Sequence, residues 1–124
     1  MSPVHTPREV AEEFFARMED DRRETVGELF AADAVITVPG ARFDGPDAAD
    51  ALLEHLAPRY DWAAKRFDRW IETDTEVVSI GTLYGVDGDG EEFSGVRYVD
   101  VYEVEDGRIR RVDIWNDLAV DGVV

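Results

Sequence analysis

Asp100 sits in the run Arg97-Tyr98-Val99-Asp100-Val101-Tyr102, where strand alternation puts Tyr98, Asp100, Tyr102 and Val104 on one face and Arg97, Val99, Val101 and Glu103 on the other. An ionised carboxylate on a mainly apolar face needs partners or takes a proton, and a carboxyl so placed can act as a general acid or base. The alternative is structural: Asp100 accepts hydrogen bonds from the tyrosines or a backbone amide and fixes the core. The same alternation sends Val112, Ile114 and Asn116 inward on the last strand and leaves Arg111, Asp113, Trp115 and Asp117 outside. Asn116 would then orient a polar ligand group or satisfy the end of its strand. His55, between Glu54 and Leu56, reads as a solvated or helix-end histidine, and one histidine without a companion is weak as a base or a metal ligand. His5 belongs to the terminus. The absence of cysteine excludes thiolate nucleophiles, disulfides and cysteine-bound metals. Asp87-Gly88-Asp89-Gly90 lacks the spacing and closing glutamate of a calcium loop, so no metal site is expected.

These side chains need a scaffold, and the sequence reads as helices followed by strands. Thr6-Pro7-Arg8-Glu9 combines an N-cap hydroxyl, a proline at the first helical position and a glutamate that completes a capping box. Val10, Phe14, Phe15 and Met18 then recur at helical spacing. A second helix is expected from about Arg22 to Ala32, burying Val26, Leu29 and Phe30, with Gly27 a small cost. Ala34-Val35-Ile36-Thr37-Val38 reads as a short strand that stops at Pro39-Gly40. Asp44-Gly45-Pro46-Asp47 opens a third helix carrying Ala49, Leu52, Leu53 and Leu56, which Pro58 closes. Tyr60 and Trp62 fall in the following loop, where they would cover a pocket mouth or join the core. Arg66 to Glu72, Thr75 to Val86, Glu92 to Val104 and Arg108 to Leu118 read as four hairpin-connected strands. Helices first and a meander afterwards indicate an α+β fold with the helices on one face of the sheet. The chain contains no repeat, low-complexity tract or linker, and reads as one domain with its core between about residues 6 and 118.

At 124 residues, 44% of them hydrophobic, the chain can bury roughly two-thirds of its unfolded surface without staples. Its 29 acidic residues face 13 basic ones, leaving a formal charge of −16, which would repel a nucleic acid backbone. Lys65 is the only lysine; every other basic residue is arginine. Such an acidic, lysine-poor surface suits concentrated salt, where self-repulsion is screened, or else reflects a GC-rich genome. No apolar run approaches the roughly 20 residues that a membrane-spanning helix needs, and the first residues form neither a basic nor an apolar leader. The expectation is a soluble cytoplasmic protein without a membrane or nucleic acid partner. An outward Trp115 near Arg111 suggests a covered sheet face and hence a homodimer; the alternative is a lone tryptophan stacked on the arginine.

Two segments carry a resemblance. Leu29-Phe30-Ala31-Ala32-Asp33-Ala34-Val35-Ile36-Thr37-Val38-Pro39 resembles a segment of SnoaL-like proteins and ketosteroid isomerases, and Val99-Asp100-Val101-Tyr102-Glu103-Val104-Glu105-Asp106-Gly107-Arg108-Ile109 resembles their late hairpin. The order of elements is also similar over about residues 6 to 118. The resemblance implies the nuclear-transport-factor-2-like fold, with three N-terminal helices on a strongly curved antiparallel sheet that form a cone around an apolar pocket. In that family some members are isomerases, epoxide hydrolases, cyclases or dehydratases, and others only bind.

Carried over residue by residue, the ketosteroid isomerase base corresponds to Val38, its helical oxyanion tyrosine to Phe14, and its second oxyanion donor to Asp100 when one residue is gapped in the following hairpin. The limonene-epoxide-hydrolase residues correspond to Leu83, Gly85 and Ile114. The scytalone-dehydratase-like branch resembles Arg97-Tyr98-Val99-Asp100 better, but its strand histidines have no counterpart. The resemblance thus implies a pocket for a small apolar molecule, lined by Phe14, Met18, Val38, Tyr98, Tyr102, Ile114 and Asn116, with Asp100 as a cofactor-independent acid or base. The rival reading is a binding or dimerisation module that has lost the chemistry.

Overall fold

The capping box closes reciprocally: the Thr6 amide donates to Glu9 Oε1 at 3.1 Å and the Glu9 amide to Thr6 Oγ1 at 3.2 Å. It starts helix α1 (Pro7–Glu19), whose Val10, Ala11, Phe14 and Phe15 are buried. The computed structural model describes residues 6–19 and 23–120, so His5, Asp20, Asp21 and Arg22 lie outside the described residues.

The segment expected as a second α-helix is instead a 3₁₀ helix over Arg23–Leu29, and the first strand, β1 (Phe30–Val38), begins earlier than its β-branched run suggests. The physical reason is competition for the backbone. Phe30 already pairs with Ile109 in the sheet, so its peptide groups are not free to extend a helix. Arg17 holds the short segment against α1, donating from Nη1 to the Thr25 carbonyl oxygen at 2.9 Å and to Glu28 Oε2 at 3.0 Å.

Pro39-Gly40 turns the chain into a short strand that the sequence reading misses, β2 (Ala41–Asp44), with Gly40 at a φ of 85°. Helix α2 (Ala48–Leu56) follows and buries Ala48, Ala49 and Leu52; Asp47 stands at its N-cap without a side-chain capping bond. Four long strands complete the chain: β3 (Tyr60–Glu72), β4 (Glu76–Asp87), β5 (Glu92–Glu105) and β6 (Arg108–Asn116). Tyr60 and Trp62 therefore belong to β3 rather than to a loop. The β5–β6 hairpin turns on Asp106 and Gly107, both at positive φ (55° and 76°), as the Asp-Gly pair dictates.

The sheet order is β2-β1-β6-β5-β4-β3. All neighbours are antiparallel except β1 and β6, which run parallel, so the sheet is mixed rather than purely antiparallel. Chain path explains this: α2 carries the chain from one sheet edge to the other, and the meander returns to lie beside β1 in its own direction. Thr37 Oγ1 ties the parallel pair by donating to Asp113 Oδ1 at 2.7 Å.

The sheet is curved and unclosed. Register shifts interrupt β3 between Tyr60 and Trp62 and between Phe67 and Arg69; on β4, Gly85 pairs with Ala63 just after the first shift and Gly81 with Phe67 at the second. A Cβ on Gly81 would land on the Arg66 carbonyl oxygen, and one on Gly85 on that of Trp62. Two missing side chains thus let β3 press onto β4. The concave face, covered by α1 and α2, holds the main core of Val10, Phe14, Phe15, Ile36, Leu52, Val77, Tyr102, Ile109 and Val112.

Candidate active site

A cavity of about 160 Å³ lies between this concave face and the helices. All eight residues selected from the sequence line it: Phe14 and Met18 from α1, Val38 from β1, Tyr98, Asp100 and Tyr102 from β5, Ile114 and Asn116 from β6. Strand parity explains the convergence, because the inward positions of adjacent strands stand side by side: Asp100 pairs with Ile114 on one flank and Ser79 on the other. Leu83, where an epoxide hydrolase would carry an arginine, supplies apolar wall.

Asp100 is 1% exposed, at the centre of the polar part of the cavity. Tyr102 donates to its Oδ2 at 3.3 Å, and Lys65 Nζ stands 3.6 Å from the same oxygen. Oδ1 is buried with no hydrogen-bond partner among the described residues. Burial pushes the Asp100 carboxyl above the ordinary aspartate range, while the Lys65 charge and the Tyr102 hydroxyl pull the other way. Burial also raises both tyrosines, with the Asp100 charge adding to it: Tyr98 to about 12 and Tyr102 well above its usual value. Tyr98 shares a hydrogen bond of 2.8 Å with Ser79 Oγ, and its ring occupies the space that Gly81 leaves open. The tyrosines therefore stay protonated as donors, and Asp100 is held above the ordinary aspartate range.

Lys65 is a cavity residue, paired with Asp100, that sequence reasoning overlooks. It was notable only as the sole lysine, and periodicity alone does not aim it at Asp100. Its ammonium lies over the Phe15 ring at 4.8 Å and the Tyr98 ring at 5.0 Å, a cation held between aromatic faces beside a carboxylate. Opposite Lys65 in the ladder stands Leu83, between the two close-approach glycines. Directly opposite residues share a face of the sheet, so Lys65 enters the cavity beside Leu83.

His55 is the helix-end histidine of the expectation, in the last turn of α2, and it also lines the cavity, edge-on to Phe43 at 5.4 Å. Burial and the nearby Arg59 charge lower its pKa. Asn116 lines the cavity and also serves its strand end, accepting from the Leu118 amide at 3.2 Å. Trp62 is 42% exposed on β3 and is not a cavity residue. Trp115 is 55% exposed, and Arg111 turns to Asp113 Oδ2 at 2.9 Å. The Asp87 loop closes on itself, Asp87 Oδ1 accepting from the Asp89 and Glu91 amides at 2.9 Å each. Among the described residues no group of three or more acidic or imidazole side chains is placed to hold a metal ion, and no helix is long and apolar enough to cross a membrane.

Residues 11–112, which carry most of α1, all of α2, most of the sheet and Asp100, match the family profile of the SnoaL-like domain. The chain belongs to the SnoaL-like family. It shares the nuclear-transport-factor-2-like fold with many solved structures. One is a protein of unknown function from Burkholderia pseudomallei, 20% identical over 93% of both chains, with a TM-score of 0.82. Another is a candidate polyketide cyclase from Xanthomonas campestris, 18% identical over 95% of this chain and 96% of that one, TM-score 0.81. A third is an epoxide hydrolase from Mycobacterium tuberculosis resembling the limonene enzyme, 22% identical over 89% and 81%, TM-score 0.72. No functionally curated protein matches the sequence. At these identities the SnoaL-like likeness carries the fold, and the chemistry rests on the chain's own residues.

Proposed function

We propose that this SnoaL-like protein binds a small lipophilic molecule in the cavity and catalyses a cofactor-independent proton transfer of the isomerase, lyase or cyclase type, with Asp100 as acid and base. The observation that carries this reading is Asp100 itself: a nearly inaccessible carboxyl among cavity residues, with one oxygen lacking any described partner. A buried unpaired acceptor is costly, and such groups concentrate where a ligand completes the set. As carboxylate, Asp100 would take a proton from carbon next to a ligand carbonyl; the C–H electron pair would form the new C=C bond and the carbonyl pair would move onto oxygen. As carboxylic acid, it would return the proton to another atom. Phe14, Val38 and Ile114 supply apolar wall, and Glu19 at the end of α1 is the other carboxylate of the lining.

A binding-only role is favoured by one different observation: Val38, Leu83 and Gly85 stand where related enzymes place catalytic side chains. Both readings need an occupied cavity, which mass spectrometry tests directly. Protein kept native through purification and then denatured is expected to release a small apolar molecule that Val38→Trp, whose side chain fills the cavity, no longer carries. An identical small-molecule inventory from both proteins would count against the pocket.

A further inference from the structure

The Lys65–Asp100 pair restricts what the cavity accepts. An ammonium has three donors, and among the described residues the only carboxylate facing Lys65 Nζ is Asp100, at 3.6 Å. Asp100 Oδ2 is the one oxygen placed at this nitrogen among the described residues, which leaves donors for a second, and the Phe15 and Tyr98 rings on either side hold the cation without consuming one. The remaining titratable groups of the cavity are Glu19 at the end of α1, His55 and Arg59 at the end of α2, and Tyr98 and Tyr102 on β5. Arg59 is engaged with the His55 carbonyl oxygen. Lys65 is therefore the cation nearest the buried carboxylate.

Charge balance selects the ligand. Lys65 and Asp100 together are neutral. A ligand that arrived ionised would set a second anion against Asp100, in a chain of net charge −16. A neutral ligand with a weakly acidic O–H faces no such penalty. Its proton can pass to the Asp100 carboxylate, the O–H electron pair staying on the ligand oxygen, so the site holds one cation and one anion before and after the transfer.

We propose that Lys65 is the specificity-determining cation of the cavity, and that the ligand presents to it an acidic hydroxyl of the enol or phenol class, ionised by proton transfer to Asp100. This rests on the reading of the cavity as a site for a small lipophilic molecule. It also adds to that reading: the enolate formed by proton abstraction next to a carbonyl would carry its charge at the oxygen that Lys65 receives.

The test uses 4-nitrophenol and 4-nitroanisole, two single-ring probes that differ in the acidic hydrogen; a cavity of about 150 Å³ is enough for one ring. Nitrophenol and its anion absorb at different wavelengths, so the ionisation state of the bound probe is read directly. With wild-type protein, bound nitrophenol is expected to ionise at a pH at least about one unit below that of the free probe, corresponding to a roughly tenfold preference for the anion. Lys65→Met should abolish the displacement and Lys65→Arg should retain most of it, both with unchanged near-ultraviolet circular dichroism. If both probes bind and the displacement is absent, or persists in Lys65→Met, the role of Lys65 is wrong while the cavity reading survives. If neither probe binds the wild-type protein, the cavity reading fails and takes this inference with it.

Discussion

Burial and ion pairing pull Asp100 in opposite directions, and burial prevails, leaving its carboxyl above the ordinary range. The sign of the consequence is fixed by linkage. A group whose folded pKa exceeds its unfolded value of about 3.9 contributes stability that is fully present below that pH and lost as pH rises through the folded value. Asp100→Asn should therefore gain stability relative to wild type between pH 4 and pH 8 in urea unfolding, by about 1.4 kcal/mol for each tenfold displacement of the ionisation equilibrium. A difference that stays flat or shrinks over that range would show that the carboxylate is well solvated. Asp100 and its flanking tyrosines were legible in the sequence because strand alternation fixes their face whatever the sheet's shape. Lys65 was not, because the strand was expected to begin only at Arg66 and the register shift between Phe67 and Arg69 breaks its alternation, whereas pairing with Leu83 on the neighbouring strand decides its face. His55 was half legible: helical spacing placed it at the end of α2, but not the strand bearing Phe43 that it meets there.

At the scale of elements, Gly81 and Gly85 are where β3 and β4 approach most closely for want of a side chain. Gly81→Ala forces a Cβ onto the Arg66 carbonyl oxygen and should cost at least about 2 kcal/mol, since backbone, unlike a flexible side chain, cannot step aside cheaply. Gly27→Ala is the control: its Cβ would meet only Ala49 Cβ at 4.0 Å, and the change should be neutral or stabilising by up to about 1 kcal/mol. Equal effects in thermal or urea unfolding would mean that the close approach of β3 does not shape the sheet. The long strands and their Asp-Gly turns could be read locally. The 3₁₀ helix over Arg23–Leu29 and the start of β3 at Tyr60 could not, because each is decided by backbone pairing with a distant strand.

At the scale of the whole molecule, the face of the sheet opposite the cavity carries a second apolar surface. Trp115, Val99 and Ile80 stand in register across β6, β5 and β4, and Val101, Val78 and Ile71 across β5, β4 and β3. Trp115 and Ile71 are 55% and 44% exposed. We propose that a second copy of the chain covers this face, as the outward tryptophan suggested; light scattering should report a dimer that Trp115→Glu dissociates, whereas a wild-type monomer at every practical concentration would leave the face without that partner. Catalysis at Asp100 asks for a different experiment: α-hydrogen exchange of cyclohexanone, a single-ring ketone suited to the cavity, followed by NMR in D2O with equal amounts of wild-type and Asp100→Asn protein. The wild type should speed deuteration above the solvent rate, and the variant should lose that acceleration by about 10²–10⁴-fold. Equal exchange with the two proteins would contradict an acid–base role for Asp100.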